Sequence, residues 1–126
     1  MGSHPLNLGL RFVLELGALG ALGYFGWTRE DDALRWVLAL GLPILAATAW
    51  GVFAVPDDPS RSGKTVVVTP GPIRLLIELS VFGSGVAALF FAEAPWSSLA
   101  FGLLVAAHYV ASYDRVAWLF EQRRGR

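Results

Sequence analysis

Apolar residues gather into four stretches, at about 8–27, 34–55, 72–92 and 97–120, while charge collects between and after them, at 29–32, 57–64 and 123–126. Each stretch has the length of about 20 residues that an α-helix needs to cross a hydrocarbon core. Backbone polar groups inside a bilayer must be satisfied within their own segment, so the pattern predicts four transmembrane helices rather than strands. A Val-rich run, Thr65 to Thr69, lies in the loop at 56–71 between Pro59 and Pro70 and is expected to be extended there. The expected fold is all-α: a single transmembrane domain over 1–126, arranged as a four-helix bundle.

Composition sharpens this picture. The chain of 126 residues is 55% hydrophobic and 16% charged, with a mean hydropathy of +0.54, outside the range of soluble globular domains. Formal net charge is zero and no basic stripe interleaves with aromatic residues, which argues against a nucleic-acid partner. Absence of cysteine rules out disulfides and thiolate metal sites; His4 and His108 are too few for a metal cage, and no cofactor is called for. The first stretch contains Glu15, lacks a small-residue cleavage site and is followed by three more spans, so it reads as a retained helix rather than a signal peptide.

Arg11, Arg61, Lys64, Arg74, Arg123, Arg124 and Arg126 fall on one side of this topology, against Arg29 and Arg35 beside four acids on the other. The bias predicts one orientation with both termini cytoplasmic. Tyr24, Trp27, Trp36 and Trp96 near the outer ends and Trp118 near the inner end fit interfacial aromatic belts.

An offset of 63 residues overlays Leu10-Arg11-Phe12-Val13-Leu14-Glu15-Leu16 on Ile73-Arg74-Leu75-Leu76-Ile77-Glu78-Leu79, Gly20 on Gly83 and Trp50 on Tyr113. Each half holds two spans, so the halves are parallel repeats, and a pseudo-twofold along the membrane normal is expected. Gly17, Gly20, Gly23 and Gly26 in helix one, with Ser80, Gly83, Ser84 and Gly85 in helix three, predict close packing between those two helices.

The residues that need explaining are ionisable ones inside spans. Arg11 and Glu15, like Arg74 and Glu78, are four apart and share a helix face, about 6 Å apart along the axis. A carboxylate in a span costs roughly 2.5 to 3.5 kcal/mol, and Asp114 in the fourth helix adds a third. Helix four brings Asp114, Arg115, His108, Tyr109 and Tyr113 to the same cytoplasmic third, and helix two adds Trp50 and Thr48. Gly63-Lys64-Thr65 is no phosphate loop, because Asp58 occupies the place of the required first glycine.

Such a cluster can divide acid from base, since burial raises a carboxyl pKa and a neighbouring arginine lowers it. Glu15, Glu78, Asp114 and His108 are the candidate acid–base groups, with Arg11, Trp50, Arg74, Tyr109, Tyr113 and Arg115 around the substrate. An apolar isoprenoid- or polyketide-like molecule undergoing proton-driven isomerisation, epoxide opening or cyclisation is the chemistry that fits. In the competing reading the protein is an accessory subunit whose charges clamp helices, with Glu15 bonding Arg74 and Glu78 bonding Arg11. A proton-coupled transporter is the third; the charge bias argues against antiparallel dimers and is compatible with a parallel homodimer.

The stretches LRFVLEL in helix one, WGVFAVP closing helix two and PGPIRLLIELSVF opening helix three resemble the YrdB-like family of small bacterial four-span membrane proteins. The HYVASYDR stretch of helix four matches less clearly. The resemblance implies the topology and a bacterial cytoplasmic membrane, and draws attention to Arg11, Glu15, Trp50, Arg74 and Glu78, without implying a reaction.

Overall fold

The computed structural model describes residues 4–29, 31–56, 58 and 65–122. Arg61, Lys64, Arg123, Arg124 and Arg126, on which much of the charge bias rests, and most of the Gly63-Lys64-Thr65 run lie outside the described residues. The described chain folds into α1 (Pro5–Arg29), α2 (Leu34–Val52), strands β1 (Phe53–Ala54) and β2 (Val67–Val68), then α3 (Gly71–Phe91), α4 (Pro95–Ala111) and α5 (Tyr113–Glu121). It is all-helical apart from the one short parallel pair, in which Phe53 faces Val67 and Ala54 faces Val68.

Helices α1, α2 and α3 are long and apolar enough to cross a membrane, and α4 is a shorter apolar helix. Large apolar side chains such as Val37, Ile44, Leu76, Leu103 and Val110 point outward, and α2 buries none of its residues. An apolar surface of this extent suits lipid contact rather than water. α1 packs against α2, α3 and α4, and α3 against α4. Leu14, Ala18, Phe82 and Phe101 form the buried centre, where Phe82 meets Trp50, Tyr109 and Phe101 edge to face at 5.1, 6.0 and 6.4 Å.

Local chemistry sets the element boundaries. Pro72 and Pro95 stand at the starts of α3 and α4, where a missing N–H costs nothing. α3 ends in a Schellman motif: the Ala94 N–H donates to Leu89 O at 2.9 Å and Glu93 to Phe90 O at 3.2 Å, with Glu93 left-handed at φ 64°. At the α1–α2 turn, Arg35 donates to Trp27 O and lies 3.8 Å from the Trp27 ring, which itself meets Trp36 at 4.8 Å.

Three expectations change. The continuous helix over 97–120 divides at Ser112 into apolar α4 and amphipathic α5, a turn that points Arg115 and Leu119 inward. The helix expected to reach residue 55 stops at Val52, because Phe53 and Ala54 pair with the extended Val67–Val68 run. The small residues also serve more than one partner. Gly26 lies so close to α2 that a Cβ there would be 2.5 Å from the Leu38 carbonyl carbon; Gly17 faces Phe101 of α4; Gly85 meets Ala18; and Gly20 and Gly83 face open space. Gly71 has no such freedom, since a Cβ there would collide with the Leu119 carbonyl.

Candidate functional site

Four-residue spacing on a helix places each arginine beside its own glutamate, and Arg74 Nε donates to Glu78 Oε2 at 2.8 Å while Arg11 Nε lies 3.5 Å from Glu15 Oε1. Beyond that common start the two pairs have different surroundings. Arg11 Nη2 reaches Glu78 Oε2 at 2.9 Å, an ion pair across α1 and α3. Arg115 of α5 donates to Glu78 through both terminal nitrogens, at 2.9 and 2.6 Å, and the Tyr109 hydroxyl donates to Glu78 Oε1 at 2.7 Å. Glu78 is completely buried, and both its oxygens are occupied by cationic or phenolic donors.

The cations are held from behind as well. Arg115 forks onto Asp58, with Nε to Oδ1 at 2.9 Å and Nη2 to Oδ2 at 2.6 Å. Arg115 is buried, and its guanidinium is shared between two carboxylates, those of Asp58 and Glu78. Arg74 Nη1 donates to the carbonyls of Trp50 and Phe53, at 2.5 and 2.7 Å, closing the last turn of α2 where carbonyls have no helical partner. The guanidinium groups of Arg11 and Arg74 also lie 4.9 and 4.6 Å from the Trp50 ring.

His108 is a buried bridge. Its Nδ1 is 3.1 Å from Asn7 Oδ1 and its Nε2 3.3 Å from Arg11 Nη1. A guanidinium nitrogen only donates, so Nε2 is the acceptor and Nδ1 carries the proton of a neutral ring. Asn7 Nδ2 then donates to Ser112 Oγ at 2.6 Å, joining the start of α1 to the α4–α5 turn.

Glu15 stands apart from this saturated network. Its side chain is 27% exposed, and it borders a cavity of 210 Å³ whose other walls include Phe12, Leu16, Leu19, Ala46, Ala47 and Val81. Trp50 also lines this cavity. The Glu15 carboxylate is thus the one charged group in an otherwise apolar and aromatic lining, with the guanidinium groups of Arg11 and Arg74 behind it and Trp50.

Of the ten residues that the sequence nominates, eight converge: Arg11, Trp50, Arg74, Glu78, His108, Tyr109 and Arg115 in the network, and Glu15 at its edge beside the cavity. Asp114 and Tyr113 do not join them. Both are exposed on α5, because the division at Ser112 rotates Arg115 inward and its two predecessors outward. Thr48 is also exposed, its hydroxyl donating to Ile44 O at 2.7 Å. The reciprocal clamp forms in one direction: Arg11 pairs with Glu78, whereas Glu15 pairs within its own helix.

Sequence reasoning missed Asp58, Asn7 and Ser112. Asp58 sits in a polar loop, where a solvated acid is the default reading, and no local spacing links it to Arg115. Asn7 carried a faint signal as an amide at the edge of an apolar run, and Ser112 as a hydroxyl between two tyrosine-containing turns.

Residues 9–107 match the family described as protein of unknown function (DUF2568). The chain is similar to the uncharacterized protein YrdB of Bacillus subtilis (strain 168), with 47% identity over 119 residues that cover 94% of this chain and 97% of the relative. No solved structure matches.

Proposed function

The chain belongs to the DUF2568 family, YrdB-like as its sequence indicates, and from that premise we propose that it is a multi-pass membrane enzyme whose Glu15 moves a proton within an apolar small molecule. The four apolar helices are taken as four spans, with both termini cytoplasmic in a bacterial inner membrane and two parallel helix pairs related by the pseudo-twofold. The observation that carries the proposal is the partly exposed Glu15 at the 210 Å³ cavity, beside a network in which Glu78 is saturated. Glu78 and His108 act as positioning residues, holding Arg11 and the cavity wall.

Electrostatics select among the reactions that the sequence allowed. Arg11 stands beside Glu15, and Arg11 and Arg74 already share the Trp50 ring. Cationic intermediates of cyclisation or epoxide opening would form against positive charge, whereas an enolate would form in its favour. One carboxylate suffices for an isomerisation, because the proton it removes from one position is returned at another, and nothing is gained or lost overall. The reading is therefore a keto–enol type isomerisation with Glu15 as the base that becomes the acid.

The test is mass spectrometry of small molecules that co-purify from native-host membranes with the wild type and with Glu15→Gln. A molecule enriched on the variant, and present on the wild type as an isomer of equal mass, is the expected result. Identical small-molecule content on two folded proteins would refute the enzyme. The saturation of Glu78 favours one alternative, an accessory subunit in which the whole cluster is a clamp; it predicts that Glu15→Gln leaves the protein's role in the host unchanged.

A further inference from the structure

The cavity beside Glu15 coincides with a side chain that one half of the chain has and the other lacks. The 63-residue offset that overlays Arg11 and Glu15 on Arg74 and Glu78 also sets Tyr109 on Ala46 and Arg115 on Val52. In the second half, Tyr109 packs on Phe82 and donates its phenol to Glu78, and Arg115 completes the carboxylate's partners. In the first half, Ala46 is a wall of the 210 Å³ cavity, and Glu15 keeps Arg11 as its ion-pair partner, with Trp50 beside it in the lining. Glu15 thus has acceptor capacity facing an apolar space where its counterpart receives a phenol.

We propose that this cavity binds an apolar ring compound bearing a hydroxyl, a phenol or ring enol, whose O–H donates to Glu15 as the Tyr109 hydroxyl donates to Glu78. The ring lies over Ala46 and Ala47 against Phe12, Leu16 and Val81, and the hydroxyl is directed at the carboxylate. The inference rests on the isomerase reading and names its substrate class. An enol O–H gives its proton to the Glu15 carboxylate; the enol C=C electrons take a proton back from Glu15 at carbon, and the C–O bond becomes C=O. No redox partner is needed. A simple lipid-tail groove would need no carboxylate, and a site for a cation would not set an arginine beside it.

The ring-binding claim is tested by titrating 2-naphthol and naphthalene into the full-length protein in mild-detergent micelles, with protein-free micelles subtracted. Wild type is expected to bind naphthol about tenfold or more tightly than naphthalene, the preference expected of a hydrogen bond to a charged acceptor in an apolar site. Glu15→Gln should bring naphthol down to the naphthalene level. Ala46→Tyr should place a phenol in the cavity from the protein itself, abolishing naphthol binding while thermal stability is kept or raised. Equal affinity for both probes in wild type, or undiminished naphthol binding by a folded Ala46→Tyr, overturns the inference. Naphthol selectivity without any Glu15-dependent isomer in the membrane extracts would uphold the binding claim and defeat the isomerase. A Glu15-dependent isomer without naphthol selectivity would do the reverse.

Discussion

Glu15 and Glu78 stand in matching heptapeptides, yet their amides should have very different effects on folding. Glu78 has no exposed surface and, among the described residues, accepts four hydrogen bonds, from Arg74, both terminal nitrogens of Arg115 and Tyr109, and pairs ionically with Arg11. Glutamine offers one acceptor oxygen and turns an NH2 group toward guanidinium donors, leaving buried positive charge without its counterion. Breaking one buried pair costs about 3–5 kcal/mol, and three arginines depend on this carboxylate, so Glu78→Gln should cost about 5 kcal/mol. That is a large part of the about 5–15 kcal/mol by which domains are stable. Among the described residues Glu15 has one arginine contact, at 3.5 Å, and a partly exposed side chain, so Glu15→Gln should cost less than about 1 kcal/mol. The two variants would then differ by about 4 kcal/mol, close to a thousandfold in the folding equilibrium. Equilibrium unfolding in mixed micelles of mild detergent and increasing dodecyl sulfate, followed by tryptophan fluorescence, measures both. Equal destabilisation would show that the two pairs are energetically equivalent and would refute the division into a sealed and an open carboxylate.

Other consequences follow from single contacts. Asp58→Asn and Arg115→Met should each destabilise by about 3 kcal/mol but the pair by much less than the sum, because the second change removes the charge stranded by the first; additive losses in a double-mutant cycle would deny the ion pair. Gly26→Ala should destabilise by about 1–3 kcal/mol through overpacking on Leu38, while Gly20→Ala, facing open space, should gain up to about 1 kcal/mol of helix propensity; thermal unfolding of the two side by side checks the sign of each. Glu93→Gly should stabilise by up to about 1 kcal/mol, since the left-handed conformation at φ 64° carries a Cβ penalty that glycine lacks; a lower midpoint in the same assay would contradict the Schellman assignment.

Sequence alone determined the helical class, the apolar lengths of the first three helices and the i, i+4 pairing of Arg11 with Glu15 and Arg74 with Glu78, because these depend on hydropathy and on the 3.6-residue period. It also nominated most of the network, since an ionisable residue in an apolar stretch stands out wherever the chain takes it. The tertiary structure decided what each of those residues meets. Asp58 reaches Arg115 across 57 positions and Asn7 reaches His108 across 101, contacts that no local pattern encodes. It also decided that Asp114 faces out, through a turn at Ser112 that hydropathy reads straight through. Two matching heptapeptides receive different environments because Tyr109 and Arg115 fill the space around one glutamate, whereas Ala46, 63 residues before Tyr109 in sequence, lines an open cavity beside Glu15. Helix period fixes spacing along one element, but the volume and charge around a side chain are set by whichever elements pack beside it.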